Sequence, residues 1–89
     1  MNPPILEENK CSVLIAELAT GHVFKKDLTL FLNGRHKNDV FQVFETIQSA
    51  KNFALDFIAK APDFECSIFD NRGSHLATFD KHGERNISK

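Results

Sequence analysis

Apolar positions along this 89-residue chain change their spacing twice. Between residues 11 and 44 they come as runs and alternations, between 46 and 61 they recur every three or four positions, and from 64 onward alternation returns. The first and last regimes predict strands and the middle one predicts a helix. Residues 11–18, rich in Val13, Leu14 and Ile15, predict a first strand. Ala19-Thr20-Gly21-His22 predicts a turn. Residues 23–32 predict a second strand, with Leu28, Leu30 and Leu32 on one face and Thr29 and Phe31 on the other. Asn33-Gly34 is a hairpin signal, since both residues tolerate positive φ. The connection then runs on through residues 35–39 to a short third strand over 40–44.

The helix is the clearest element. Thr46 is placed to cap it, because its hydroxyl can accept from a free backbone N–H. Ile47, Ala50, Phe53, Ala54, Phe57, Ile58 and Ala61 then form one apolar stripe. Gln48, Lys51, Asn52, Asp56 and Lys60 lie on or near the other side, and Pro62 ends the helix. Leu55 falls off the stripe, as a flank contact or an exposed apolar residue. Residues 64–69 predict a strand in which Phe64, Cys66 and Ile68 alternate with Glu65 and Ser67. Asp70-Asn71-Arg72-Gly73 predicts a turn, 74–80 the returning strand, and Lys81-His82-Gly83-Glu84 a second turn. Residues 1–10 and 84–89 are too polar or too Pro-broken to pack and are expected to be loose.

These elements make one domain over residues 1–89. The class is α+β: an antiparallel sheet of about five strands, in β-β-β-α-β-β order, with one helix packed on one face. Several strands carry apolar residues at both parities: Val13 and Ile15 against Leu14 and Leu18, Leu30 against Phe31, Ile68 against Phe69, Leu76 against Phe79. One parity faces the helix. The other either forms an interaction surface, for a partner or for a second copy in a homodimer, or is closed off by the sheet's own coiling.

Composition narrows the function. Net charge is −1 and the isoelectric point about 6.4, against the basic footprint a nucleic-acid domain usually carries. Nine Phe and no Trp or Tyr place the aromatic content in the core more than at a rim. Cys11 and Cys66, flanked by apolar residues, read as reduced core thiols. The alternative is a disulfide joining two strands in an oxidising compartment. Residues 1–6 lack the basic start and apolar run of a signal peptide, and no membrane segment follows, so a cytoplasmic location is expected.

Candidate chemistry is sparse. His22, His36, His75 and His82 lie at turns or strand ends, none at the i, i+4 spacing of a helical zinc site, so no metal and no cofactor is expected. Cys66, His75 and Asp70 can be written as a nucleophile, base and orienter, but alternation around Ile68 points Cys66 inward while His75 is expected to point outward, so no enzyme activity is expected. Asp70-Asn71-Arg72-Gly73 lacks the spaced carboxylates of a calcium loop. Charge is segregated along the chain. Lys25, Lys26, Arg35, His36 and Lys37 form a basic segment suited to phosphate. Asp56, Asp63, Glu65 and Asp70 form an acidic one suited to steering a basic partner.

A chain of this size with one capped helix over 46–61, a flanking meander and a terminal hairpin over 64–80 resembles the small immunity proteins of bacterial toxin–immunity pairs, the contact-dependent growth-inhibition systems among them. The resemblance implies a cytoplasmic, non-catalytic protein that binds one cognate toxin, such as a nuclease, and neutralises it. The alternatives are a small nucleic-acid-binding or regulatory module using Lys25, Lys26, Arg35 and Lys37, with Phe31 or Phe41 as a stacking surface, and a structural homodimer.

Overall fold

The computed structural model describes residues 3–20, 23–24 and 40–86. It is an α+β domain with an antiparallel sheet and one helix, in the order β1 (Cys11–Glu17), β2 (Val23–Phe24), β3 (Phe41–Phe44), α1 (Ile47–Lys60), β4 (Phe64–Phe69), β5 (His75–Asp80) and β6 (Gly83–Asn86). The sheet has six strands, in the order β2-β1-β4-β5-β6, with β3 also paired to β1. β1 is its centre. One edge of β1 pairs with β4 along most of its length. The other edge is shared: β3 covers residues 11–14, and β2 covers Ile15 and Ala16. Phe24 therefore faces Ile15 while Phe41 faces the adjacent Leu14, so the chain departs and returns at consecutive positions of one edge. The predicted strand over 23–32 is described only at Val23–Phe24; its remainder, with Leu30 and Phe31, lies outside the described residues.

Cross-strand register assigns the two faces. Residues directly opposite share a face. Val13 faces Ile68 and Ile15 faces Cys66 across β1–β4, and Cys66 and Ile68 face Phe79 and Ala77 across β4–β5. These side chains meet Ala50, Ala54 and Ile58 of α1 to form the core. The helical stripe thus closes the sheet as its spacing predicts, with Phe53 and Phe57 half-buried on one flank. Leu55 is 55% exposed and Ile47, at the first turn, 42% exposed.

The helix begins where its cap dictates. Ser49 N–H donates to Thr46 Oγ1 at 3.1 Å and Thr46 N–H donates to Ser49 Oγ at 3.4 Å, a reciprocal box with serine in the role usually filled by Glu. We expect Thr46→Ala to lower stability by about 1 kcal/mol, read as a lower urea midpoint at unchanged slope. An unshifted midpoint would show that Ser49 caps without it.

Two expectations need correction. The predicted turn over 81–84 is a two-residue turn, Lys81-His82, after which Gly83–Asn86 pairs with β5 as an edge strand. Part of the supposed loose tail is therefore in the sheet. Gly-Glu-Arg-Asn offers no apolar alternation, so backbone pairing alone reveals it, and its charges suit a guarded sheet edge. Gly83 has φ +112°, which a side chain would strain even though the space beside it is open. The second correction concerns β5. Leu76 and Phe79 were expected on opposite faces, yet both pack against the helix-side core. A register shift at Ile68/Phe69 inserts an extra residue, so that Ala77 faces Ile68 but His75 faces Phe69. The bulge releases Leu76 to the helix side and keeps His75 on the opposite face.

The lead-in has no regular structure in residues 3–10 but is tied down. Leu6 N–H donates to Asn71 O at 2.7 Å, and Lys10 lies 3.5 Å from Glu7 and 3.6 Å from Glu45. Those two carboxylates, Glu45 first, raise the Lys10 ammonium above its ordinary value.

Candidate functional site

The face opposite the helix is less apolar than alternation alone implies. Its register positions are Ser12, Leu14 and Ala16 of β1, Phe41 and Val43 of β3, Glu65, Ser67 and Phe69 of β4, and His75, Thr78 and Asp80 of β5. Ser12, Ala16, Phe41, Thr78 and Asp80 are buried, and Val43 is the exposed large hydrophobic among them, at 45%. Phe41, 2% exposed, meets Phe69 edge-on with centroids 6.0 Å apart, so it is not a free platform for stacking a base. A polar row crosses this face. Ser67 Oγ and Thr78 Oγ1 are 3.0 Å apart, and His75 Nε2 lies 2.8 Å from Thr78 Oγ1 and 3.1 Å from Ala77 O. A carbonyl only accepts, so Nε2 carries the proton in its bond to Ala77 O. Ser12 Oγ, fully buried nearby, has no hydrogen-bond partner among the described residues.

The cysteines lie on the other side. Cys66 is buried in the core, and burial, with Glu65 second, pushes its thiol up to about 12. Burial raises the Cys11 thiol too. A nucleophilic cysteine needs the opposite shift, and the sheet separates Cys66 from His75. Asp70 is occupied as well: its Oδ1 accepts from Arg72 N–H and Ser74 N–H, both at 2.9 Å, holding the β4–β5 turn. The three residues therefore do not converge. Nor do the cysteines reach each other. Ile15 faces Cys66 while Cys11 lies four residues back along β1, about 13 Å away at strand rise. Both are free thiols, and the inter-strand disulfide is excluded by distance.

The four acidic residues fall in three places. Asp56 is on the outer side of α1, 3.2 Å from Lys60. Asp63 precedes β4, with Glu65 two residues on and directed to the face opposite the helix. Asp70 lies at the far end of β4, about 20 Å from Asp63 at strand rise. Only Asp63 and Glu65 share a locality. Lys25, Lys26, Arg35 and Lys37 lie outside the described residues.

Two surface features escaped the sequence reading. Four half-buried rings line one flank of the helix: Phe44 and Phe53 have centroids 5.1 Å apart, Phe53 and Phe57 5.8 Å, and Phe57 and Phe64 5.8 Å. Each ring belonged to a recognised element, but their alignment depends on how α1 crosses the sheet. The other is a cleft of about 450 Å³ at one end of the sheet, lined by Glu17, Leu18, Ala19, Asp63, Lys81 and His82. No local motif signals it, since its walls come from separate connections. Leu18 N–H donates to Asp63 O at 2.8 Å, and His82 N–H to Asp80 Oδ1 at 2.7 Å, which fixes both sides. Among the described residues, no three His, Cys, Asp or Glu side chains are grouped to hold a metal ion.

No protein-family model, curated protein or solved structure matches this chain. Among the described residues, no helix is long and apolar enough to cross a membrane.

Proposed function

We propose that this chain is a non-catalytic inhibitor that binds one protein partner, a cognate bacterial toxin of the kind neutralised by the immunity proteins it resembles, and that it acts in the cytoplasm. The observation that carries the reading is apolar side chain left at the surface around α1. Phe53 and Phe57 are half-buried on one flank, while Leu55 and Ile47 are exposed elsewhere on the helix. Part-exposed aromatic side chains can anchor a protein interface, and contiguous exposed apolar surface marks an interaction site. Asp63, just beyond the C-terminal end of the same helix, supplies charge to steer a basic partner, such as a nuclease; Glu65 lies close by in sequence but on the sheet face opposite the helix. Two free, buried thiols suit a reducing compartment.

Affinity capture of the full chain from source-cell lysate, with and without nuclease treatment, tests this. One stoichiometric protein retained after nuclease is the expected result, and the captured pair should dissociate faster when Phe53 and Leu55 are both changed to serine. Recovery of nucleic acid, or loss of every partner on nuclease treatment, would replace this reading with a nucleic-acid module based on Lys25, Lys26, Arg35 and Lys37. Recovery of the chain alone, as a dimer by light scattering, would replace it with a homodimer through the sheet face opposite the helix.

A further inference from the structure

The cleft at the sheet end has opposite charges held apart. Glu17 closes β1, Asp63 opens β4, and Lys81 with His82 forms the turn between β5 and β6. Because β4 lies between β1 and β5, Glu17 is about two strand spacings, roughly 10 Å, from the basic side, while Asp63, at the start of β4 itself, is about one, roughly 5 Å. Among the described residues, no ion pair joins Glu17 or Asp63 to Lys81 or His82. Each group is set by a local bond that leaves it able to act outward. Thr20 Oγ1 donates to Glu17 Oε1 at 2.8 Å, leaving the second carboxylate oxygen. Asp63 is anchored by its backbone carbonyl, and the turn by the Asp80 carboxylate, so the Asp63, Lys81 and His82 side chains are not consumed by the anchoring. Leu18 and Ala19 give the cleft an apolar lining, and its volume of about 450 Å³ is that of a small-molecule site.

Such a site does not suit a simple cation, which Lys81 would repel, or a simple anion, which Glu17 and Asp63 would repel. It suits a molecule carrying both signs. We propose that the cleft binds a small apolar zwitterion, an α-amino acid of about leucine size. Its ammonium is held by Glu17 and Asp63, its carboxylate by Lys81 and His82, and its side chain rests against Leu18 and Ala19. Charge-assisted hydrogen bonds of this kind are the strong ones, and losing either charge leaves one wall unanswered. The inference does not depend on the protein partner proposed above.

The test is a titration of the full, ¹⁵N-labelled chain with L-leucine, N-acetyl-L-leucine and L-leucinamide, followed by amide shifts. Saturable shifts confined to residues 17–20, 63 and 80–83 are expected with L-leucine, at a Kd near or below about 1 mM. The acetylated and amidated forms, each lacking one charge, should bind about tenfold or more weakly. Asp63→Asn and Lys81→Gln should each weaken L-leucine by a similar factor while leaving the rest of the spectrum unchanged, since both side chains are exposed. Absence of saturation, equal binding of the three probes, or shifts centred elsewhere would overturn the proposal, and either variant alone suffices if the other fails to fold.

Discussion

Replacing Ile68 with alanine is expected to remove about 3 kcal/mol of stability and to lower the melting temperature by roughly 12–25 °C. Ile68 is fully buried, flanked by Val13 on β1 and Ala77 on β5 on the helix-facing side of the sheet. Ala50, Ala54 and Ala77 are part of the same cluster. With so many methyl side chains there, Ile68 supplies bulk that its neighbours cannot replace by collapsing inward. The truncation therefore loses both transfer free energy and packing contacts. A domain of this size holds roughly 5–13 kcal/mol in total, so the change is a large fraction of it. Leu55→Ala is the control: at 55% exposure it should stay within about 0.5 kcal/mol. Urea unfolding of the two variants decides the matter. Equal midpoints would mean that Ile68 does not occupy the core.

The second large effect appears at high pH. Cys66 is fully buried, and its thiol titrates near 12 in the fold against an ordinary value of 9.0. Below about pH 9 the thiol is protonated whether the chain is folded or not, and stability is at its full value. As pH rises past that point the unfolded chain loses the proton while the folded chain keeps it, so unfolding is favoured. The loss is about 1.4 kcal/mol for each pH unit and ends as pH passes through about 12, where the folded form ionises too. Between pH 9 and 10.5 the native chain should lose about 2 kcal/mol more than Cys66→Ala, a comparison in which the lysines cancel. Urea unfolding at the two pH values measures this. A thiol reagent at pH 8 supplies an independent readout: Cys66 should react only as fast as the protein opens, and rapidly in urea. Parallel pH profiles for the two proteins, or immediate labelling of Cys66 in the native state, would show the thiol to be accessible.

Both expectations depend on which face of the sheet a residue occupies, and the sequence carried that information unevenly. The helix was legible in full because its determinants are local: the Thr46 cap, the Ala50-Ala54-Ile58 stripe and the stop at Pro62 all act within a few residues. β4 was legible at both ends, since Phe64, Cys66 and Ile68 alternate with polar residues and Asp70 starts a turn that its own carboxylate holds. The opposed placement of Cys66 and His75 was not legible in the same way: alternation from Ala77 and Phe79 would put His75 on the helix side, and the bulge places it on the other. The exposure of Leu55 was left open by spacing and decided by the way α1 lies on the sheet.

What only the tertiary structure decided involves backbone bonds between segments distant in the chain. β6 is polar throughout and exists because its backbone pairs with β5. The bulge that brings Leu76 inward is a mismatch between two strands and has no signature in either alone. β2 and β3 share one edge of β1 because the register places Phe24 and Phe41 opposite neighbours, although the two are widely separated in sequence. The acidic residues could be counted in the sequence, but the length of β4 separates Asp70 from Asp63, and α1 carries Asp56 away from both. Glu17, Asp63, Lys81 and His82 come together only because β1, β4 and β5 are neighbours in the sheet. Short-range periodicity specifies each element and its apolar face. Strand order and register are set by cooperative burial and hydrogen bonding over the whole domain, and these determine which side chains share a surface.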